Sequence, residues 1–251
     1  MIRRVFAGSA LIVAIGLGQG RPLPEFEVAS VKPVDISKLG DEIFMNIGTV
    51  RREEVTFGNA TLNDCIRFAF RAGSDAQIAG PDWIKSKRFL YDIVAKGAPG
   101  ASREQLQGMM QTLLAERFKL VTHRERKEMP YYALMPAKSG AKIQPVKEMP
   151  DDFRGTNYGG RIDNILPMST LAYLLSRFET ERPIIDQTGL RGLYEIKLHW
   201  ALRQLQGTEP DAPGPSLFTA LDEQLGLKLE ARKGPVEILV VESAEKVPTE
   251  N

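Results

Sequence analysis

Two stretches of this chain place acid–base side chains close together. Val121-Thr122-His123-Arg124-Glu125 alternates like a strand, so His123 and Glu125 share a face, as a metal-ligating or acid–base pair would. The same run also reads as a solvated face of mixed charge, with Arg124, Arg126 and Lys127 alongside. Catalytic zinc normally takes three protein ligands, so the solvated face is the better reading. The second stretch is Asp186-Gln187-Thr188-Gly189-Leu190, behind the apolar Pro183-Ile184-Ile185. It is similar to the strand–turn of aspartic proteases, but Gln187 interrupts the tripeptide and Gly80-Pro81-Asp82-Trp83 supplies no second copy. A carboxylate dyad needs two such groups at one site. The alternative is a turn in which Asp186 accepts backbone N–H bonds and Gly189 takes positive φ. No catalytic residue is therefore assigned; Asp186, His123 and Glu125 are the only candidates, and no metal site or cofactor is expected. Trp83, Tyr91, Tyr131, Tyr132, Tyr194 and Trp200 are the aromatics available to line a groove or, more ordinarily, to fill a core.

Composition narrows the classes further. The chain has 251 residues, 33 Lys+Arg against 32 Asp+Glu, two His and one Cys. A formal net charge of +1 gives no basic face for nucleic acid. The lone Cys65 excludes an intrachain disulfide and cysteine-rich metal sites. At the N-terminus, Arg3 and Arg4 precede an apolar run from Val5 to Gly18, with small residues at Gly18 and Gly20. That run is shorter than the ~20 residues a membrane span needs. Residues 1–20 read as a cleaved secretory signal, and the mature protein is expected outside the cytoplasm, periplasmic or extracellular, with no integral span.

The remaining pattern predicts an α+β fold. Strand-like runs at Phe26–Val31, Ile43–Ile47 and Glu54–Phe57 precede a helix opened by Thr61. A strand over Arg88–Ala95 follows, then a helix with the capping-box pair Ser102 and Gln105. Strands Lys119–Glu125 and Tyr131–Ala137 are expected to join at a Met129-Pro130 turn. Residues 138–160, rich in Lys, Pro, Asp and Gly, read as a linker or long loop. A second series begins with a short strand near Ile162–Leu166 and a helix from Ser169, and a further helix is capped by Ser216. Strands Leu227–Ala231 and Val236–Val241 are joined at Gly234-Pro235, and the tail from 244 to 251 reads as frayed.

The two series match. Thr61-Leu62 parallels Thr170-Leu171, and Leu90-Tyr91-Asp92-Ile93 parallels Leu193-Tyr194-Glu195-Ile196. Phe118-Lys119-Leu120 parallels Leu227-Lys228-Leu229. The pattern points to internal duplication of a strand-helix-strand-helix-strand-strand unit, over 21–137 and 161–243, packed side by side.

Several segments carry a family resemblance: Phe26-Glu27-Val28-Ala29-Ser30-Val31-Lys32-Pro33, Gly80-Pro81-Asp82-Trp83, Leu114-Ala115-Glu116-Arg117-Phe118, Pro183 to Leu190 and Lys246-Val247-Pro248. On these the chain resembles a secreted, heavily paralogous acidobacterial family of unknown function, the Solibacter type. That resemblance implies export and occasional fusion to membrane metallopeptidases of the beta-lactam-receptor kind. It leads to the expectation of a non-catalytic binding or sensing module for a protein or cell-envelope partner. A hydrolase acting on an envelope polymer or peptide is the alternative.

Overall fold

The computed structural model describes residues 24–39, 45–150, 153, 155–158, 160–178, 182–201 and 214–250. The segment read as a secretory signal lies outside them. The architecture is α+β, as expected.

Local signals open the helices where the sequence places them. Thr61 caps α1 (Leu62–Phe70) in a reciprocal capping box with Asp64. Ser102 does the same for α2 (Arg103–Phe118) with Gln105. Ser216 accepts from the Thr219 N–H at the start of α4 (Leu217–Ala220), which continues as a π-helical turn over Leu221–Leu225. The exception is α3 (Met168–Phe178), which starts one residue before Ser169. The Pro167 carbonyl receives the first bonds, from the amides of Thr170 and Leu171, so Thr170 is the third residue of the helix and not its cap.

Helices α1 and α2 cover an antiparallel sheet with strand order β1 (Val28–Pro33), β5 (Tyr91–Lys96), β3 (Glu54–Ala60), β2 (Asn46–Arg51). Residues alternate strictly across β5, with Tyr91, Ile93 and Ala95 buried under Phe57, Phe68, Leu106, Leu114 and Phe118. A second antiparallel sheet lies with α3 and α4. Its order is β7 (Gln144–Val146), β11 (Leu193–His199), β9 (Arg161–Leu166), β8 (Thr156–Tyr158). Here too the middle strand alternates, burying Tyr194, Ile196 and Leu198. Strands β7 and β8 fall within 138–160, so that segment is built into the second sheet and is not a linker.

A third sheet joins the halves. Strand β6 runs unbroken over Val121–Pro136, and β12 over Leu227–Ser243, and the two pair antiparallel along their whole length. The turns expected at Met129-Pro130 and Gly234-Pro235 do not form. Both prolines lie mid-strand, Pro130 opposite Lys233 and Pro235 opposite Glu128. Proline is tolerated on a strand only where its nitrogen faces an open edge. That condition is visible for Pro130: the Tyr132 N–H, two residues on, points outward to the Pro183 carbonyl at 2.9 Å. The outer strands are short and sit at opposite ends. β10 (Ile184–Asp186) runs parallel to β6 beside Tyr132–Leu134, and β4 (Ile78–Ala79) runs parallel to β12 beside Leu239 and Val240. Each outer strand thus pairs with the long strand of the other half. Two side-by-side units do not describe this molecule, because the halves share one sheet.

The cores follow the same exchange. Leu239 and Val241 of β12 are buried in the first core, and Leu134 of β6 is buried in the second. The ends of α1 and α3 also meet: Arg67 donates to the carbonyls of Gly73 and Arg177, and Arg177 in turn donates to the Ile47 carbonyl. A Cβ on Gly73 would lie 2.5 Å from the Ser176 Cβ, which requires glycine at this crossing.

The tail is docked. The end of α2 leaves carbonyls without helical partners, and Glu245 N–H donates to Phe118 while Thr249 N–H donates to Arg117. The Thr249 hydroxyl donates to the Glu116 carbonyl, and the Tyr91 hydroxyl donates to the Lys246 carbonyl at 2.7 Å. The Lys246 ammonium lies 4.9 Å from the Phe89 ring centre and 5.9 Å from that of Trp83. Ending the chain after Ser243 is expected to destabilise the protein by about 2–4 kcal/mol, since several hydrogen bonds at ~1 kcal/mol each are lost. Denaturant titration of the truncated chain checks this; a frayed tail would leave the midpoint unchanged.

Candidate functional site

The three sequence candidates do not converge. His123 stands near one end of β6, opposite Val240, and is half exposed. Its Nδ1 lies 2.7 Å from Glu242 Oε1, and its Nε2 lies 4.0 Å from Glu125 Oε2. His123 and Glu125 do share a face, but it is a solvated one. Asp186 pairs with Leu134, eleven positions further along β6. At ~3.3 Å per residue that is roughly 35 Å, beyond any proton transfer or shared water. Among the described residues, no three His, Cys, Asp or Glu side chains are grouped to hold a metal ion.

Asp186 makes the turn that its neighbours suggested. Its Oδ1 accepts from the Thr188 N–H at 3.0 Å and the Thr188 hydroxyl at 2.8 Å, and that hydroxyl then accepts from the Leu190 N–H. Gly189 has φ +72, the conformation that glycine allows. Gln187, which looked like an interruption, is the working residue of the motif. Its Nε2 donates to the Tyr131 hydroxyl and its Oε1 accepts from Arg232 at 2.6 Å. Arg232 also binds Glu230, which accepts from Lys228 as well and is held below the ordinary carboxylate range by that hydrogen bond. The motif therefore pins β10 to β6 and β12. Gly80 has the same duty at the other end: a Cβ there would lie 2.8 Å from the Val241 Cβ, so β4 can approach β12 only with glycine following it.

The aromatic residues are dispersed. Tyr91 lies in the first core, edge-on to Phe118 at 4.9 Å, and Tyr194 and Trp200 in the second. Trp83 packs against Phe89, and Tyr131 lies under the shared sheet. Tyr132 stacks edge-on with the half-exposed Phe218. They line no common groove.

One concavity among the described residues was not read from the sequence. A cavity of about 350 Å³ opens between Glu25–Ala29 at the start of β1 and Met109, Thr112, Leu113, Glu116 and Arg117 on α2. Its lining is more polar than apolar; Met109 and Leu113 are buried behind it, and Val28 is 68% exposed beside it. Glu25, Glu27 and Glu116 are among its lining residues, and Arg117 is the one cation among the described residues that line it. Arg117 Nη1 already donates to the Thr249 carbonyl at 3.0 Å. The nearest signal in the sequence was the acidic pair Glu25 and Glu27 just ahead of β1, which begins at Val28.

With this geometry in hand, the chain can be compared with known proteins. The DUF3738 family, described as a protein of unknown function, matches residues 63–244. The chain belongs to the DUF3738 family. No curated protein and no solved structure matches it. The DUF3738 span runs from the first turn of α1 to the residue after β12, so it contains the whole shared sheet and both fastening motifs. It leaves out the β1 wall of the cavity. No helix among the described residues is long and apolar enough to cross a membrane.

Two outcomes follow from these contacts. Gln187→Ala removes one partly buried and one exposed hydrogen bond, and is expected to cost about 0.5–1.5 kcal/mol in denaturant titration. Burial pushes the Tyr91 phenol up to about 12. The unfolded phenol titrates at about 10, so the stability tied to protonated Tyr91 is complete below that pH and is lost between about 10 and 12. Tyr91→Phe is expected to flatten this alkaline fall in thermal melts recorded from pH 9 to 12.

Proposed function

We propose that this chain is an exported, non-catalytic binding module whose β1/α2 groove receives a lysine- or arginine-bearing segment of a partner protein in the cell envelope. The observation that carries the reading is a mostly polar lining in which Glu25, Glu27 and Glu116 stand with Arg117, beside the exposed Val28. Carboxylates pair with the cation of a Lys or Arg, while an apolar surface receives its aliphatic stem. Export is supported by the charge, apolar run and small residues of the first 20 positions. The hydrolase alternative would need Asp186 to meet His123 and Glu125, and it lies eleven strand positions from His123.

Titration of the chain with a fluorescent lysine-rich peptide, read by anisotropy, tests the proposal. Saturable binding is expected, at least tenfold weaker for Glu27→Lys/Glu116→Lys and weakened by salt, since 1 M screens charges beyond about 3 Å. Equal binding by the charge-reversed variant, or no binding of any basic peptide, would overturn it.

A further inference from the structure

We infer that the chain is a two-fold pseudo-dimer, two copies of one β-β-β-α-β-β-α-β unit, each completed by strands and caps from the other so that neither half is a folding unit by itself. The strand order β1-β5-β3-β2 recurs as β7-β11-β9-β8, every strand replaced by the one six places later and every pairing antiparallel. The registers recur as well. The last residue of β3, Ala60, pairs with Tyr91, and the last residue of β9, Leu166, pairs with Tyr194. A helix begins two residues after each.

The exchange is reciprocal to within one residue. Ile78 pairs with Leu239 and Ile184 with Tyr132; Ile184 follows Ile78 by 106 positions, and Leu239 follows Tyr132 by 107. The joints into the long strands are the left-handed residues Lys119, φ 48, and Gly226, φ 62, again 107 apart. Beyond the long strands the chain crosses over a second time. After β12 it caps α2, through Glu245 and Thr249, and after β6 it caps α4, with Ala137 N–H donating to Gly226 and Lys142 N–H to Leu225. Glu128 and Pro235 are also 107 apart and pair directly, which puts the pseudo-axis at the middle of the ribbon. Ordinary amphipathic elements brought together independently have no reason to agree in sheet order, register, strand exchange and cap exchange, at offsets that stay within a few residues of one another. The surface each half offers, an open long-strand edge and an uncapped helix end, therefore fits a second copy of the same unit.

The test uses the full chain with a protease site inserted after Glu148, in the exposed stretch 147–150 that follows the Ala137–Lys142 cap and leaves it intact. After native cleavage the two pieces are expected to co-elute at the mass of the intact chain and to unfold in one transition. In the uncut chain, hydrogen exchange is expected to open the β5 and β11 amides at the same denaturant concentration. Pieces that separate in native buffer, or β11 protection that outlasts loss of β5, would overturn the inference. Gly80→Val, which drives a side chain into Val241, is expected to lower the exchange protection of both outer sheets together. Loss confined to β5 would count equally against it.

Discussion

The structure depends on the backbone pairing of β6 with β12, two strands about a hundred residues apart in the chain. Everything else attaches to that ribbon or is closed by its ends. Its two tips enter opposite cores, as Val241 beside the first sheet and Leu134 beside the second. Along its middle, Arg124, Glu125, Arg126, Lys127, Glu128 and Pro130 are exposed, and among the described residues no strand pairs with them on the edge of β6 away from β12. Mixed charge and a proline on an open edge discourage pairing with other chains. The ribbon is thus cohesive where it meets the cores and guarded where it crosses between them.

This arrangement explains why the motifs that look most like chemistry serve architecture. Asp186, Thr188 and Gly189 fold the turn that ends β10, and Gln187 reaches from that turn to Tyr131 and Arg232. Gly80 sits at the equivalent exit from β4, pressed on Val241. Polar residues around a strand–turn resemble a reaction centre in sequence because both demand fixed side chains and a glycine at the bend. Here the fixed side chains hold a strand of one half against the other. The span matched by the DUF3738 family contains these exchanged strands and their fasteners.

What could be read from the sequence was local. Thr61, Ser102 and Ser216 cap helices because a side chain and an amide three residues on decide the matter between them. The alternation in β5 and β11, and the Asp186 turn, are local in the same sense. Pro130 and Pro235 misled for the converse reason. A proline breaks a strand only if its missing N–H was needed, and that depends on a partner strand elsewhere in the chain. Residues 138–160 look like a linker because β7 and β8 are three residues each, too short for a periodic signature. The acidic groove was hidden similarly: Glu27 and Glu116 become neighbours only after β1 is laid against α2. Low identity between the halves concealed how closely they correspond, since the correspondence lies in pairings more than in residue types.

The docked tail has a consequence for the order of events when the chain is made. Strand β12 supplies Leu239 and Val241 to the first core, and Glu245 through Thr249 close the end of α2, which that core contains. A polypeptide leaving a ribosome or a membrane channel appears N-terminus first, at about 5–20 residues per second. The half that appears first therefore waits for Leu239, Val241 and the segment from Glu245 to Thr249, all of which follow the second half's own strands and helices in the chain.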